Sequence, residues 1–594
     1  MSDNFKLTLI WLLGGTIAFG LASLHVEISI LGDLIVPSGP DSFYHAKRIL
    51  NLLETGTLVQ FDPLFSAPDG EYVSWPWAYD TLMALTTFVA NSMFPDASLM
   101  TTMVKLPPLI TFFNAGLIVI LGRVLRLPIT YILVAVIVFA VSPLTQNLHM
   151  IGRLDHHMLE FSFVIGAIIL GIKYFTDINS ARCAIAYGVL LGVAPAFHNG
   201  LFILQLPFLI TLLFIWVRKE TISESVVHFS CSLIITTLLF LIPSEPFRSG
   251  LFSYYFHSWF HLYIAICTSA IACYFYRLRF CRKSFLALVL LGVCLSLPVL
   301  IDIGGGLKFI TGDDDIYLVI EEFSRPISWE ASSGLIPYMN TGEYSGLLVL
   351  LPFSIGLLLY WGLVKVSPCT TFFTVSSVFG SVLLLAQYRL NYFGSFALYF
   401  PVLILCNELS RHYQSRQKLI LACMTTLFVI CSIPVKDYLL ERRPLSGNYD
   451  YEMTHTIYKD LERSCRLDPG VVLADYNDGH YISFHTPCAV IANNFLITPL
   501  DFDRVAFTKE LFNGTVDELL DNGWINYVFV RREDNVFLYK SQENVRQGNS
   551  PLIAELLFSN ELPDRFVQIS SVEFEYPNGE SQPLAKVFKI VRSP

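Results

Sequence analysis

Apolar runs of membrane length, separated by short polar connections, occupy the chain from residue 7 to residue 435. With a window of about 20 residues, the length a helix needs to cross hydrocarbon, the pattern predicts thirteen spans near 7–27, 106–122, 127–146, 158–175, 183–199, 200–217, 227–243, 251–276, 284–302, 345–364, 367–386, 390–407 and 419–435. The run LMALTTFVANSMF (82–94) is too short to span and is expected to lie in the interface or against the bundle. Beyond residue 435 charged residues become frequent. Short β-like runs (VVLADY, CAVIANN, INYVFVRR, KVFKIV) alternate there with helical patterns such as YEMTHTIYKDLERS, which predicts a compact α/β domain. The expected fold is an all-α membrane bundle of about thirteen transmembrane helices over 1–435, with long external loops at 28–105 and 303–344, followed by an external α/β domain over 436–594.

Charge sharpens this picture. Only 15% of the 594 residues are charged and 54% are hydrophobic, whereas a soluble chain carries about a quarter charged residues. A large soluble core is thereby excluded. No basic stripe interleaved with aromatics is present, so nucleic acid is not an expected partner. With a cytoplasmic N-terminus, the predicted inner connections hold Arg123 and Arg126, Lys173 and Arg182, Arg218 and Lys219, Arg277, Arg279, Arg282 and Lys283, Lys365, and Arg411, Arg416 and Lys418. The short outer connections hold only Arg153, Arg248 and Arg389. This is the positive-inside pattern, and an odd number of spans then puts 436–594 outside an inner or plasma membrane. Lys6 followed by an apolar run also fits a cleavable signal peptide. The run continues to Leu24 without a small-residue processing site, so an uncleaved span is expected; cleavage would leave Asp41 on the same side. Of twelve cysteines, only Cys465 and Cys488 lie in the tail; in an oxidising compartment they are either a disulfide or two free thiols.

Ionisable residues at membrane mouths are costly and usually functional. Asp41 follows the first span, in VPSGPDSFYHAKRIL; Asp155 precedes the fourth, in GRLDHHMLE, with His157 two residues on; Glu321 and Glu322 lie in VIEEFSRP of the third external loop. All are predicted on one side. Carboxylates and an imidazole gathered from separate loops suit Mg²⁺ or Mn²⁺, a Lewis acid able to stabilise a departing pyrophosphate. As single residues, Asp41 and Asp155 read equally as turn or helix-cap groups. Arg389, in AQYRLNYFGSF, is the sole cation of a tight outer connection. It is either a bidentate phosphate anchor or an interfacial snorkelling side chain. HNG (198–200) reads as a tight turn.

These features together resemble the catalytic subunit of the oligosaccharyltransferases, GT-C-fold enzymes that move a glycan from a polyprenyl (pyro)phosphate carrier to asparagine. GPDSFYHAKRI resembles the family's first acidic motif, which implies Asp41 as a metal ligand that also engages the acceptor amide. LDHHMLE is similar to the second motif in its D-x-H form, implying Asp155 and His157 as ligands. VIEE resembles the T-I-x-E element with Val319 in place of Thr, implying Glu322, with Glu321 as the alternative. YRLNYF resembles the arginine motif that contacts the carrier phosphate, implying Arg389. In the tail, ADYNDGHYISFHTPCAVIANNF resembles the segment beginning W-W-D-Y-G, which reads Ser or Thr of the acceptor. Gly479 matches the motif's Gly, but the same register puts Asp475, Tyr476 and Asn477 where W-W-D belongs.

The resemblance implies a divergent prokaryotic enzyme that meets a polyprenyl-linked glycan donor in the lipid bilayer and a protein or other extracytoplasmic acceptor, with Mg²⁺ or Mn²⁺ as cofactor; with no extra modules in the sequence, an unaccompanied enzyme is the expectation. The rewritten acceptor segment keeps open a GT-C transferase that uses a polyprenyl-phosphate monosaccharide to modify lipid or polysaccharide. A non-catalytic transporter or scaffold is the third reading. Against it, no charged residues sit mid-span to form a translocation path.

Overall fold

The computed structural model describes residues 2–592 apart from 25, 32–33, 301–303, 305–326, 329–337, 340–345, 365, 432–448, 533–551, 560–561 and 576–580. Among the described residues, seven helices are long and apolar enough to cross a membrane: Asp3–Ala22, Leu99–Val124, His157–Thr176, Asn199–Val217, Trp259–Arg277, Arg282–Val299 and Pro368–Ala386. Ile129–Val141 and Pro143–His149 form a further apolar pair bent by 58°, with Pro143 opening the second helix where its missing N–H is tolerated. Ala181–Ala196, Ser225–Leu241 and Gly346–Gly362 are shorter apolar helices. Many large side chains on these helices face outward, including Phe113, Leu239, Leu286, Leu290 and Val382. Apolar surface of that extent needs lipid around it: the chain is an integral membrane protein.

Where their residues are described, the predicted spans fall mainly on helix, with local departures in form. Residues 251–258 precede the helix Trp259–Arg277, whose N-terminus is capped by the Ser258 side chain. The run 390–407 is divided. Tyr388–Phe393 and Ser395–Leu398 are 3₁₀ turns, and only Phe400–His412 is α-helix. The cause is contact with Pro368–Ala386. A Cβ on Gly380 would run into the Phe393 carbonyl, and one on Gly394 into the Gly380 carbonyl. The two backbones meet at van der Waals range only because both residues are glycine. The run 82–94 lies in the helix Trp77–Met93, which buries Tyr79, Asp80, Met83 and Ala84 and exposes Leu85, Phe88, Val89 and Met93.

The tail folds around a five-stranded mixed sheet. Its strands are β1 (Val471–Leu473), β2 (Ala489–Val490), β3 (Ile525–Arg531), β4 (Phe566–Glu575) and β5 (Ser581–Ile590), in the order β4-β5-β3-β1-β2. β1 runs parallel to β2 and β3, while β5 is antiparallel to β3 and β4. Helices Tyr449–Leu467, Tyr476–His485 and Pro499–Asn513 cover it. A disulfide joins Cys465 to Cys488, tying the first of these helices to the start of β2.

The first long loop, within 28–105, and this domain share one core. Phe43, Tyr44, Phe65, Val73 and Trp75 from the loop pack with Tyr451, Tyr458, Tyr481, Phe495 and Phe529. The loop also completes the sheet edge: Val490 N–H donates to the Leu64 carbonyl at 2.8 Å, and Ala67 N–H to the Val490 carbonyl at 3.0 Å. An open edge strand would invite intermolecular pairing; here the chain's own loop occupies it. Nearby, buried Glu71 accepts from Ser66 and, at 3.0 Å, from Asn493 Nδ2. Its carboxyl is pushed well above the usual range by burial and by the Asp501 charge, and Asp501 is raised by burial as well. The two carboxyls are hydrogen-bonded to each other, which requires a shared proton.

Two predictions follow from this architecture. Gly380→Ala forces apart the helix and the 3₁₀ turn, an overpacking worth about 1–3 kcal/mol, and is expected to lower the melting temperature of the detergent-solubilised chain. The second concerns pH. Because the Glu71 and Asp501 values are raised in the folded state, their contribution is fully present below ordinary carboxylate values of about 4 and is lost as pH rises through the raised ones. Melts between about pH 5 and about pH 9 should show that decline in the wild type, and Glu71→Gln, which donates to Asp501 at every pH, should flatten it.

Candidate functional site

The site is assembled on three short pieces of chain. The helix Pro40–Thr55 begins where Gly39 adopts φ 84° and Pro40 starts the first turn, so Asp41 sits at the helix N-terminus, where a carboxylate is favoured. Asp41 and His45 are four residues apart and therefore share a face. The segment Met150–His156 makes a turn through Gly152, φ +88°, and leads into the helix His157–Thr176. The Tyr388–Phe393 turn packs on that helix, with the Tyr392 ring stacked on His157 at 5.7 Å.

Asp155 and His157 come together, with four further groups. Asp155 Oδ1 lies 3.1 Å from His156 Nδ1, and Oδ2 lies 3.5 Å from His157 Nε2. His45 Nε2 is 3.3 Å from His156 Nδ1. Glu160, fully buried, lies 2.9 Å from His157 Nδ1, 2.8 Å from His198 Nδ1 and 3.4 Å from His156 Nε2. Among the described residues, two sets bring donor atoms close enough to share a metal ion: His45, Asp155 and His156, and His156, Glu160 and His198. Burial by itself raises the Asp155 carboxyl. The neighbouring imidazoles, His157 foremost, and Arg153 outweigh burial and hold it below the usual carboxylate range, so it stays an anion. Burial keeps His156 well below its ordinary value, hence neutral and able to ligate.

Arg389 is close enough to act electrostatically on both His157 and Tyr392. Asp41, one turn earlier on the same face as His45, meets the tail domain instead. It accepts from Asn494 Nδ2 at 3.1 Å and lies 3.2 Å from His480 Nδ1. His480 is stacked on Tyr44 and ringed by Phe65, Trp75 and Phe495. Trp75 separates the two halves, with its indole stacked on His45 at 4.1 Å and edge-on to His480 at 5.7 Å. Glu321 and Glu322 lie outside the described residues.

The acceptor candidates occupy the carboxyl end of β1, where open α/β sheets hold ligands. Asp475 is buried and caps the helix Tyr476–His485, accepting from the Asn477 N–H and Nδ2, both at 3.0 Å. Tyr476 and Gly479 are also buried, and Asn477 is exposed. Gly479 permits contact with the chain leaving β2, since a Cβ there would strike Ala492 O and Asn493 Cα. Beside them Asp478 pairs with Arg531 at 2.6 Å and accepts from Tyr458 at 2.7 Å.

Four groups at this site are absent from the sequence-based set: His45, His156, Glu160 and His198. His156 and Glu160 flank His157 at helical spacing, a signal present in LDHHMLE. His45 stands four residues after Asp41, in the same motif. HNG contributes an ion-pairing imidazole, not only a turn, and nothing local distinguishes His198 before the fold brings it to Glu160.

No protein-family model matches the chain, and no curated protein sequence does. Solved structures do. The archaeal oligosaccharyltransferase AglB from Archaeoglobus fulgidus, in complex with an inhibitory peptide and a dolichol-phosphate, superposes with a TM-score of 0.74 at 15% identity, over 98% of this chain and 74% of that one. The Archaeoglobus fulgidus oligosaccharyltransferase in complex with zinc and sulfate gives 0.68 at 15%, over 97% and 73%. Arabinofuranosyltransferase AftD from Mycobacteria gives 0.52 at 11%, over 100% of this chain and 42% of that one. The chain has the GT-C fold of these membrane glycosyltransferases, with the tail domain that follows it.

Proposed function

We propose that this chain is a metal-dependent glycosyltransferase of the extracytoplasmic face, moving a glycan from a polyprenyl phosphate or pyrophosphate carrier to a protein asparagine or a related acceptor. The observation that carries the reading is the anionic Asp155, buried among imidazoles of which His157 feels the Arg389 charge, on a fold shared with an enzyme solved with dolichol-phosphate. The residues fit a divalent cation: Asp155 Oδ1 is buried and makes no hydrogen bond, and such an atom needs a partner. Mixed carboxylate and imidazole donors suit Mn²⁺ better than Mg²⁺. Asp155 and His157 would hold it, with Glu322 and Asp41 as the further carboxylates. When bound, the cation supplies Lewis-acid neutralisation of the leaving phosphate.

The rest is done by side chains. Arg389 binds the carrier phosphate, where its planar fork matches two oxygens. Asp41, at the seam with the tail domain, orients the acceptor and takes its proton as the new bond to the anomeric carbon forms. The bond from that carbon to the carrier oxygen breaks on the opposite side, with inversion. Asp475, Tyr476, Asn477 and Gly479 form the wall against which the acceptor lies. The N-terminus is cytoplasmic and the tail domain external, the orientation that gathers Lys and Arg on the inner connections.

A second reading, transfer from a polyprenyl-phosphate monosaccharide to lipid or polysaccharide, draws on the acceptor segment. Asp475 there is a buried helix cap, not an exposed hydrogen-bonding group.

With lipid-linked oligosaccharide, an N-x-S/T peptide and Mn²⁺, the purified chain is expected to form glycopeptide. Chelation should stop the reaction and added Mn²⁺ restore it. Asp155→Ala should cost at least ~100-fold in rate, the scale of losing one transition-state stabiliser, while Tyr476→Trp should retain transfer. Metal-dependent consumption of donor without glycopeptide would discard asparagine in favour of the second reading.

A further inference from the structure

We propose that His45 is a direct ligand of the divalent cation, completing with Asp155 and His156 a three-residue donor set, and that Asp80 is its positioning residue. This rests on the reading of Asp155 as a cation site. His45 is fully buried. Its Nδ1 lies 2.6 Å from Asp80 Oδ1, and the other Asp80 oxygen is 2.5 Å from Arg48 Nη1. Asp80, paired with Arg48, is placed to accept from His45 Nδ1, and the tautomer that makes this hydrogen bond leaves the Nε2 lone pair free. The ring lies flat on Trp75, 4.1 Å away at 12°, with Tyr79 edge-on at 4.8 Å, which fixes its plane.

That lone pair points at His156 Nδ1, 3.3 Å away, which is itself 3.1 Å from Asp155 Oδ1. The three donor atoms lie within 4.8 Å of one another. His156 has Glu160 Oε1 3.4 Å from its other nitrogen, Nε2. A proton on that nitrogen leaves three lone pairs converging on one buried point, an arrangement that a cation satisfies and a single proton does not. Carboxylate–imidazole–metal chains of this kind set ring tautomer and orientation. Here the chain is Arg48–Asp80–His45, and it is carried by the helices Pro40–Thr55 and Trp77–Met93.

The test is Mn²⁺ binding to the full detergent-solubilised chain, read by electron paramagnetic resonance and by nitrogen couplings in pulsed spectra. The expected result is one bound ion with couplings from more than one imidazole. Asp155→Ala should abolish binding, His45→Gln should weaken it at least ~10-fold with loss of one imidazole coupling, and Asp80→Asn should weaken it ~10–100-fold. Wild-type affinity and unchanged couplings in His45→Gln, with binding still abolished by Asp155→Ala, overturn the proposal and leave the cation reading standing. No binding by wild type, or normal binding by Asp155→Ala, overturns both. If His45→Gln fails to fold, the wild-type spectrum decides: couplings from a single imidazole overturn the proposal.

Discussion

The burial of one helix, Pro40–Thr55, between two cores is the constraint on which the site depends. Phe43 and Tyr44 pack into the core shared with the tail domain, while Ala46 and Ile49 pack with Ile151, Leu154 and Met158 beside the membrane bundle. A helix held on both sides has little freedom to turn. Its third stripe carries Asp41, His45 and Arg48, so the same packing that joins bundle to tail also fixes the direction of these ionisable groups.

Electrostatics then selects among arrangements that packing alone allows. Asp80, Asp155 and Glu160 are all buried, and a buried charge deprived of its partner costs about 3–5 kcal/mol. Arg48 and His45 answer Asp80; imidazoles surround Asp155 and Glu160. Chemical readiness and fold stability are thus coupled through the same groups. The Lys47 ammonium makes a parallel link, 3.2 Å from Asp62 in the loop and 2.6 Å from Ser483 in the tail domain.

The tail domain contributes through the carboxyl ends of its parallel strands. The chain leaving β1 holds Asp475 to His480, and the chain leaving β2 holds Asn493 and Asn494, which bond to Glu71 and Asp41. Asp475, Tyr476 and Gly479 are engaged there in capping and packing.

The membrane class, the helical bundle and the α/β tail were legible in the sequence because each rests on local periodicity: hydrophobic runs long enough for hydrocarbon, then short alternating strands. Asp155, His157 and Arg389 were legible as isolated polar groups at the mouths of apolar runs. The strand Phe566–Glu575 was not, since its partner β5 stabilises it across the sheet. Neither were the division of 390–407 into 3₁₀ turns and the roles of His45, Asp80, Glu160 and His198. These depend on which segments meet in space, from the 35-residue separation of His45 and Asp80 to the 111-residue separation of His45 and His156, on two glycines permitting backbone contact, and on the pairing of buried charges. Sequence by itself determined the solvent each segment must occupy; tertiary structure decided which ionisable groups share a point in space, because burial makes their mutual pairing obligatory.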